Sequence, residues 1–172
     1  MSEEGEPIIE HLSKKYGPSA AQGFNDPNSS LRVMGRKVGI EFNNDRKIVN
    51  TKRAHALVEY LKQEQGNDVA NQFMEDLYKL YFEDAKDIND ESVLVEAVGK
   101  YGVESGQAHR VMAPDYLKEI SEKDRQNKLK YGVSGVPFFM IYPNDGKSRP
   151  VAFSGAYPVE VIAEQLEEAA DV

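Results

Sequence analysis

Side chains that could carry out chemistry are few in this sequence and lie far apart. The 172-residue chain contains three histidines, His11, His55 and His109, and no cysteine. Zinc sites need several His, Cys or acidic ligands at short, characteristic spacings, and none of the histidines has such a partner nearby. The absence of thiols excludes disulfides, thiolate metal sites and a cysteine nucleophile. We therefore predict neither a metal site nor a bound cofactor.

Two weaker sets of polar residues remain as candidates. His55 lies in the segment NTKRAHAL, where Asn50 is close to the start of a predicted helix. We favour a histidine packed between helices over a functional one, because histidine is intermediate in burial. Ser134 and Ser154 carry hydroxyl groups, but a serine nucleophile needs an adjacent base and the sequence shows none.

The segment YGVSGVPFFMIY, residues 131–142, raises a different question. Pro137 stands directly before an apolar, aromatic run that is typical of a buried strand. Proline cannot donate a hydrogen bond to a sheet, but it is tolerated at the first residue of a strand. A trans proline at that position and a cis proline after a tight turn are both compatible with the spacing.

The elements around this segment follow from apolar periodicity. Residues 17–30 and 42–50 are predicted to be loop and irregular chain, and Asn67 is predicted to cap a helix. Tyr116, Ile120 and Leu129 are expected to face inward from one long helix. After Gly132 the pattern changes to two strands, joined by a loop with a turn at Asp145 and Gly146. The predicted helices cover residues 7–16, 31–39, 51–65, 67–81, a segment after 87–90, 103–112, 114–131 and a segment after Pro158.

Composition narrows the classes of partner. The net charge is −8, which argues against a nucleic-acid binder, because that role requires clustered Lys and Arg. No apolar run approaches the roughly 20 residues of a membrane span. The acidic N-terminus lacks the positive region of a signal peptide, so we expect a cytoplasmic protein.

Longer segments carry a family resemblance. The runs GVSGVPFFMI, FSGAYPVEVIAEQLEEA, EGEPIIEHLSKKYG, MGRKVGIEFN and NTKRAHALVEYLKQEQG resemble, in order and spacing, the DsbA-like thioredoxin-fold family, in particular its FrnE-type subgroup. The resemblance implies an α/β, thioredoxin-like fold in one domain, residues 1–172. Residues 1–131 would be a mainly helical insertion, and residues 132–172 a β-hairpin followed by a helix.

The same resemblance assigns roles to a few residues. It implies that the Val136–Pro137 bond is cis and that Gly135, Val136 and Pro137 face an extended substrate peptide. It also places the segment with Asn50 and His55 near the active-site region of the family. Main-chain hydrogen bonds to an added strand would supply the affinity for such a peptide.

The family's first strand and its Cys-x-x-Cys segment have no counterpart in this chain, which implies a truncated form. Thiol–disulfide exchange requires a thiolate, so the chain by itself is expected to have no redox activity. The remaining role would be peptide binding or dimerisation, with a second copy or another chain pairing with strand 137–142. Two alternatives remain open: a truncated product of an active oxidoreductase, and an enzyme resembling the glutathione-dependent isomerases and transferases of this fold.

Overall fold

The computed structural model describes residues 5–170, which form two compact units, residues 5–121 and 122–170. No helix in that range is both long and apolar enough to cross a membrane. The elements of the first unit are β1 (Glu6–Pro7), α1 (Ile8–Tyr16), α2 (Pro18–Asn25), α3 (Ser30–Lys37), β2 (Lys47–Ile48), α4 (Lys52–Gln65), α5 (Asn67–Tyr78), a π-helical turn (Lys79–Glu83), α6 (Glu91–Gly99), α7 (Ser105–Val111) and the start of α8 (Pro114–Lys130).

The core of the first unit lies among α4, α5, α6 and α7. Leu57 and Leu61 of α4 are fully buried, as are Phe73 of α5 and Leu94 of α6. Their spacing puts one apolar stripe on each helix, so the helices predicted from periodicity in this region are confirmed. The start of α8 adds Tyr116 to this core, and the Phe73 and Tyr101 rings meet edge to face at 5.4 Å.

The N-terminal region differs from the sequence prediction. The sequence predicts loop over residues 17–30, yet Pro18–Asn25 form α2, which packs against α1. Pro18 occupies the first helical position, where its missing N–H costs nothing, and Ala21 is buried. The prediction of irregular chain over 42–50 is also wrong in part, because Lys47–Ile48 pair antiparallel with Glu6–Pro7.

The start of α5 corrects a second prediction. Gly66, rather than Asn67, precedes the helix, and no side chain caps it. Gly66 has φ +92°, in the region that favours glycine, and its N–H closes the end of α4 on the Lys62 carbonyl. A single glycine therefore ends one helix and begins the next.

A buried arginine fixes the chain between α3 and β2. Arg46 is only 3% exposed, and its guanidinium lies 5.4–6.0 Å from four aromatic ring centroids. Its Nη1 donates to the Asn43 carbonyl at 2.7 Å and to Asn44 Oδ1 at 3.1 Å. The rings belong to Phe24 of α2, Phe42 of the loop before β2, and Tyr81 and Phe82 of the π-helical turn, so Arg46 joins these three segments.

The second unit contains the end of α8, the strands β3 (Phe138–Ile141) and β4 (Val151–Ser154), and α9 (Val159–Ala170). β3 and β4 pair antiparallel, with Phe138 opposite Ser154 and Ile141 opposite Val151. The predicted hairpin turn is confirmed: Asp145 Oδ1 accepts hydrogen bonds from the N–H groups of Lys147 and Ser148, and Gly146 has φ +64°.

Burial in the second unit is slight. Among its described residues, Ala169 is the one hydrophobic residue that is buried. The prediction that Leu129 faces inward is wrong, because that side chain is 70% exposed. The strand β3 is half-buried along its length rather than buried.

Candidate functional site

The loop that precedes β3 presents Val136 to solvent. α8 ends at Lys130, and Gly132, with φ +64°, turns the chain away from the helix. The Val136–Pro137 peptide bond is cis, the isomer that the family resemblance implies. The Val136 side chain is 89% exposed. Gly135 and Pro137 are exposed as well, so the three residues singled out in the sequence form one accessible loop.

β4 holds this loop in place from one side. The Pro137 carbonyl accepts a hydrogen bond from the Gly155 N–H at 2.9 Å and from the Ser154 hydroxyl at 3.3 Å. A Cβ atom on Gly135 would meet Ser154 Oγ at 3.4 Å. Ser154 therefore positions the proline loop, a structural role that differs from the nucleophilic one considered for its hydroxyl.

Hydrogen bonding along β3 shows which of its main-chain groups remain available. Because Pro137 is bonded to Gly155, alternation places the N–H and C=O groups of Phe139 and Ile141 toward β4. Those of Phe138 and Met140 point to the opposite edge. The sheet within the described residues has only β3 and β4, so no strand pairs with that edge there.

The two faces of the hairpin carry different side chains. Phe139 stacks on Phe153 with ring centroids 5.1 Å apart, and Tyr157 meets Phe153 edge to face at 5.6 Å. The side chains of Phe138 and Met140 lie on the other face, because successive residues of a strand alternate. Phe139 and Phe153 thus form a local aromatic cluster on one face.

A small polar cluster closes the far end of β3. Tyr142 follows the strand directly, is 62% exposed, and its hydroxyl lies 3.8 Å from Met140 Sδ. Tyr131 lies between Lys130 and Tyr142, and hydrogen bonding to these two neighbours lowers the pKa of Tyr131. The ammonium of Lys130 lies 4.8 Å from the centroid of the Tyr131 ring.

Sequence reasoning missed this cluster. Tyr131 and Tyr142 stand at opposite ends of the YGVSGVPFFMIY run, and only folding brings them together. A tyrosine at each end of a predicted turn-and-strand segment was the available signal.

Asn50 and His55 belong to the first unit and do not contact each other. Asn50 Oδ1 accepts a hydrogen bond from the Lys52 N–H at 3.0 Å, so Asn50 stabilises the start of α4. His55 is exposed on α4, and the interpretation of His55 as a histidine packed between helices is wrong.

Two other polar clusters occur in the first unit. Arg53 pairs with Glu91 at 3.0 Å and donates to Asn89, beside an open cleft of about 300 Å³. Glu6 pairs with His11 at 2.9 Å and with Lys14 at 2.7 Å. Among residues 5–170, no group of three or more His, Asp or Glu side chains is arranged to hold a metal ion.

Sequence and structure comparisons identify the family. The model of the DSBA-like thioredoxin domain matches residues 25–167, which is most of the chain. The chain belongs to the DsbA-like thioredoxin family. This membership confirms the predicted α/β, DsbA-type fold, here mostly helical with small antiparallel strand pairs. No curated protein sequence matches the chain significantly.

Two solved structures are similar to this DsbA-like chain. A probable DsbA oxidoreductase from Streptomyces coelicolor is 25% identical, with a TM-score of 0.76; the match covers 95% of this chain and 67% of that one. A candidate protein disulfide isomerase from Nitrosomonas europaea is 14% identical, with a TM-score of 0.67 and coverage of 94% and 87%. The second likeness shows the fold alone.

Proposed function

We propose that this chain is a DsbA-like module without redox activity that binds an extended polypeptide strand along the free edge of β3. The observation that carries the proposal is the outward direction of the Phe138 and Met140 main-chain groups, next to the exposed Val136. A paired strand would satisfy those N–H and C=O groups in the manner of strand addition. The chain contains no cysteine, so it has no thiolate for disulfide exchange.

In this proposal the proline loop and the edge of β3 have different roles in binding. The carbonyl of Pro137 is already bonded to Gly155, so the hairpin fixes where the edge begins. Gly135 leaves room beside Ser154, and Val136 offers an apolar contact at the start of the bound strand. Gly135, Val136 and Pro137 are therefore proposed binding residues, and membership of the FrnE-type subgroup stays a prediction based on the sequence segments that resemble it.

A second copy of the chain is the competing occupant. β3 is short and carries no charged residue, and uncharged edges lack the usual protection against pairing with another strand. A homodimer would join the two β3 edges about a two-fold axis. This alternative uses the same hydrogen-bonding groups as a bound peptide, so the two occupants exclude each other.

The test uses a fluorescent, acetylated and amidated peptide of alternating Val and Ser, about eight residues long. Fluorescence anisotropy measures its affinity before and after N-methylation of alternate amides. Because only every second amide of a paired strand faces β3, methylation of one set should weaken binding by about tenfold or more. Methylation of the other set is the matched control and should change the affinity by less than about twofold.

Two results would overturn the proposal. One is equal loss from both methylated sets, which would mean that strand pairing does not supply the affinity. The other is a dimer in analytical ultracentrifugation that excess peptide does not dissociate, which would assign the edge to a second copy.

A further inference from the structure

The end of β3 away from the proline loop combines a cation with two phenols. Lys130 is the last residue of α8, Tyr131 follows it, and Tyr142 follows β3. The Lys130 ammonium lies 4.8 Å from the centroid of the Tyr131 ring, and the influence of both Lys130 and Tyr142 on the pKa of Tyr131 places the three side chains together. These residues are exposed, so the cluster is accessible from solvent.

No ion pair of Lys130 is observed among residues 5–170. Its contacts are aromatic and phenolic, and its interaction with Tyr131 raises the pKa of Lys130, so the ammonium stays charged at neutral pH. Arg125, on the same helix, differs because it is paired with Glu122 at 2.7 Å. The Lys130 cluster thus offers a positive charge and hydroxyl donors to an anion from another molecule.

The position of Tyr142 relates the cluster to the strand edge. Tyr142 lies two residues after Met140, and its hydroxyl contacts Met140 Sδ, so both side chains share one face of the hairpin. A strand paired with β3 would place the side chain opposite Tyr142 about 4.5–5.5 Å away on that same face. A carboxylate at that position would lie beside the Tyr142 side chain, which neighbours Tyr131 in the cluster.

We infer that Lys130, Tyr131 and Tyr142 bind the carboxylate of an Asp or Glu side chain in the strand that pairs with β3. This inference rests on the proposed function and adds the specificity of the site. A carboxylate only accepts hydrogen bonds, and the cluster supplies an ammonium and phenolic O–H donors. We assign the carboxylate to a side chain because a bound strand longer than the four residues of β3 would extend beyond Tyr142 at this end.

The experiment extends the Val/Ser peptide by placing one Glu at each position in turn, with Gln at the same position as control. All peptides are acetylated and amidated, so no terminal carboxylate is present. We expect one position, and to a smaller extent those two residues away, to favour Glu over Gln by about threefold to tenfold in Kd. The preference should shrink as salt is added, since the charges are exposed.

Variants assign the preference to the cluster. Lys130→Gln should bring the Glu-to-Gln ratio of affinities to about one, and Tyr142→Phe should reduce it in part, while binding of the parent Val/Ser peptide, which has no acceptor long enough to reach the cluster, changes by less than about twofold. Lys128→Gln removes a neighbouring lysine of the same helix and should leave the ratio intact. Retained binding of the parent Val/Ser peptide also shows that each variant is folded.

The outcomes separate the two proposals. If Glu and Gln peptides bind equally at every position, the carboxylate site is wrong and strand binding stands. A Gln peptide with a free C-terminus that gains as much as the best Glu peptide would assign the cluster to a chain terminus and overturn the side-chain proposal. Failure of every peptide to bind overturns the proposed function itself.

Discussion

The two units of this chain differ in how much of their apolar surface is buried. In residues 5–121, side chains such as Leu57, Phe73 and Leu94 are fully buried in one helical core. In residues 122–170, large apolar side chains such as Val136 and Leu166 are more than half exposed. Burial of apolar area is the main source of stability, so we expect the first unit to be the more stable one. The exposed apolar surface of the second unit is what the proposed binding of a strand would use.

Aromatic pairs show the same difference. The Phe73 ring meets Tyr101 edge to face inside the first core, where Phe73 is fully buried. The Phe139 ring stacks on Phe153 in the hairpin, and both side chains keep part of their surface in contact with solvent. One pair completes a core, and the other stiffens a two-stranded sheet that has little else beneath it.

The largest expected effect tests the stability difference directly. Leu57→Ala should lower the free energy of unfolding of the helical unit by about 2–5 kcal/mol, because it leaves a cavity in a closed core. Leu166→Ala, an identical change at a half-exposed position of α9, should cost about 0.5 kcal/mol or less. Urea unfolding followed by far-ultraviolet circular dichroism measures both. Equal losses would show that the exposed side chains of the second unit are as important for stability as the core.

The core of the first unit could be predicted from the sequence because its apolar residues recur at regular helical spacing. Leu57 and Leu61 repeat at helical spacing in α4, and burial follows from that spacing. The helix α2 was missed because glycine, proline and asparagine dominate its surroundings, and the contact with α1 outweighed the local composition. Gly66 was missed as a boundary because Asn67 offered the more familiar capping side chain.

Long-range contacts explain what the sequence could not reveal about the candidate site. Gly135, Val136 and Pro137 were identified by the family resemblance, since spacing alone left both proline isomers open. The neighbours that complete the site, Ser154 and Tyr142, have no local pattern that marks them. Their roles depend on the hairpin register and on the approach of Tyr131 to Tyr142.

A second prediction concerns Arg46, the buried arginine of the first unit. Arg46→Ala should destabilise this unit by about 2 kcal/mol, since it removes packing and cation–π contacts with four rings. Arg46→Met should recover part of the loss, because it restores apolar volume without the cost of a buried charge. Arg36→Ala, at an exposed position of α3, is the control and should change stability by about 0.5 kcal/mol or less. A loss from Arg46→Ala no larger than the control would show that the aromatic contacts do not hold the segment.

The smallest expected effect is a difference in pKa between a tyrosine of the first unit and one of the second. Burial, together with its hydrogen bond to Asp76 Oδ2 at 3.0 Å, raises the pKa of Tyr101 to about 12. Hydrogen bonding to Lys130 and Tyr142 lowers the pKa of Tyr131 in the second unit. Phenolate formation can be followed by ultraviolet absorbance as the pH is raised. In Tyr131→Phe the absorbance change at the lower pH values should be lost, and in Tyr101→Phe the change at the highest pH values should be lost. Tyr16→Phe, at an exposed position, serves as the control variant.

The stability consequence of Tyr101 follows from the direction of its shift. An unfolded chain releases this proton near its ordinary pKa of about 10, whereas the folded chain keeps it to about 12. The contribution of Tyr101 to the free energy of unfolding is thus complete below pH 10 and declines as the pH rises from about 10 to about 12. Tyr101→Phe should cost about 1 kcal/mol at neutral pH, through the lost hydrogen bond, and should flatten the decline above pH 10. If the free energy of unfolding of this variant still declined above pH 10 as steeply as that of the unmodified chain, burial and the bond to Asp76 would not be what raises the pKa of Tyr101. The contrast with Tyr131 would then fail.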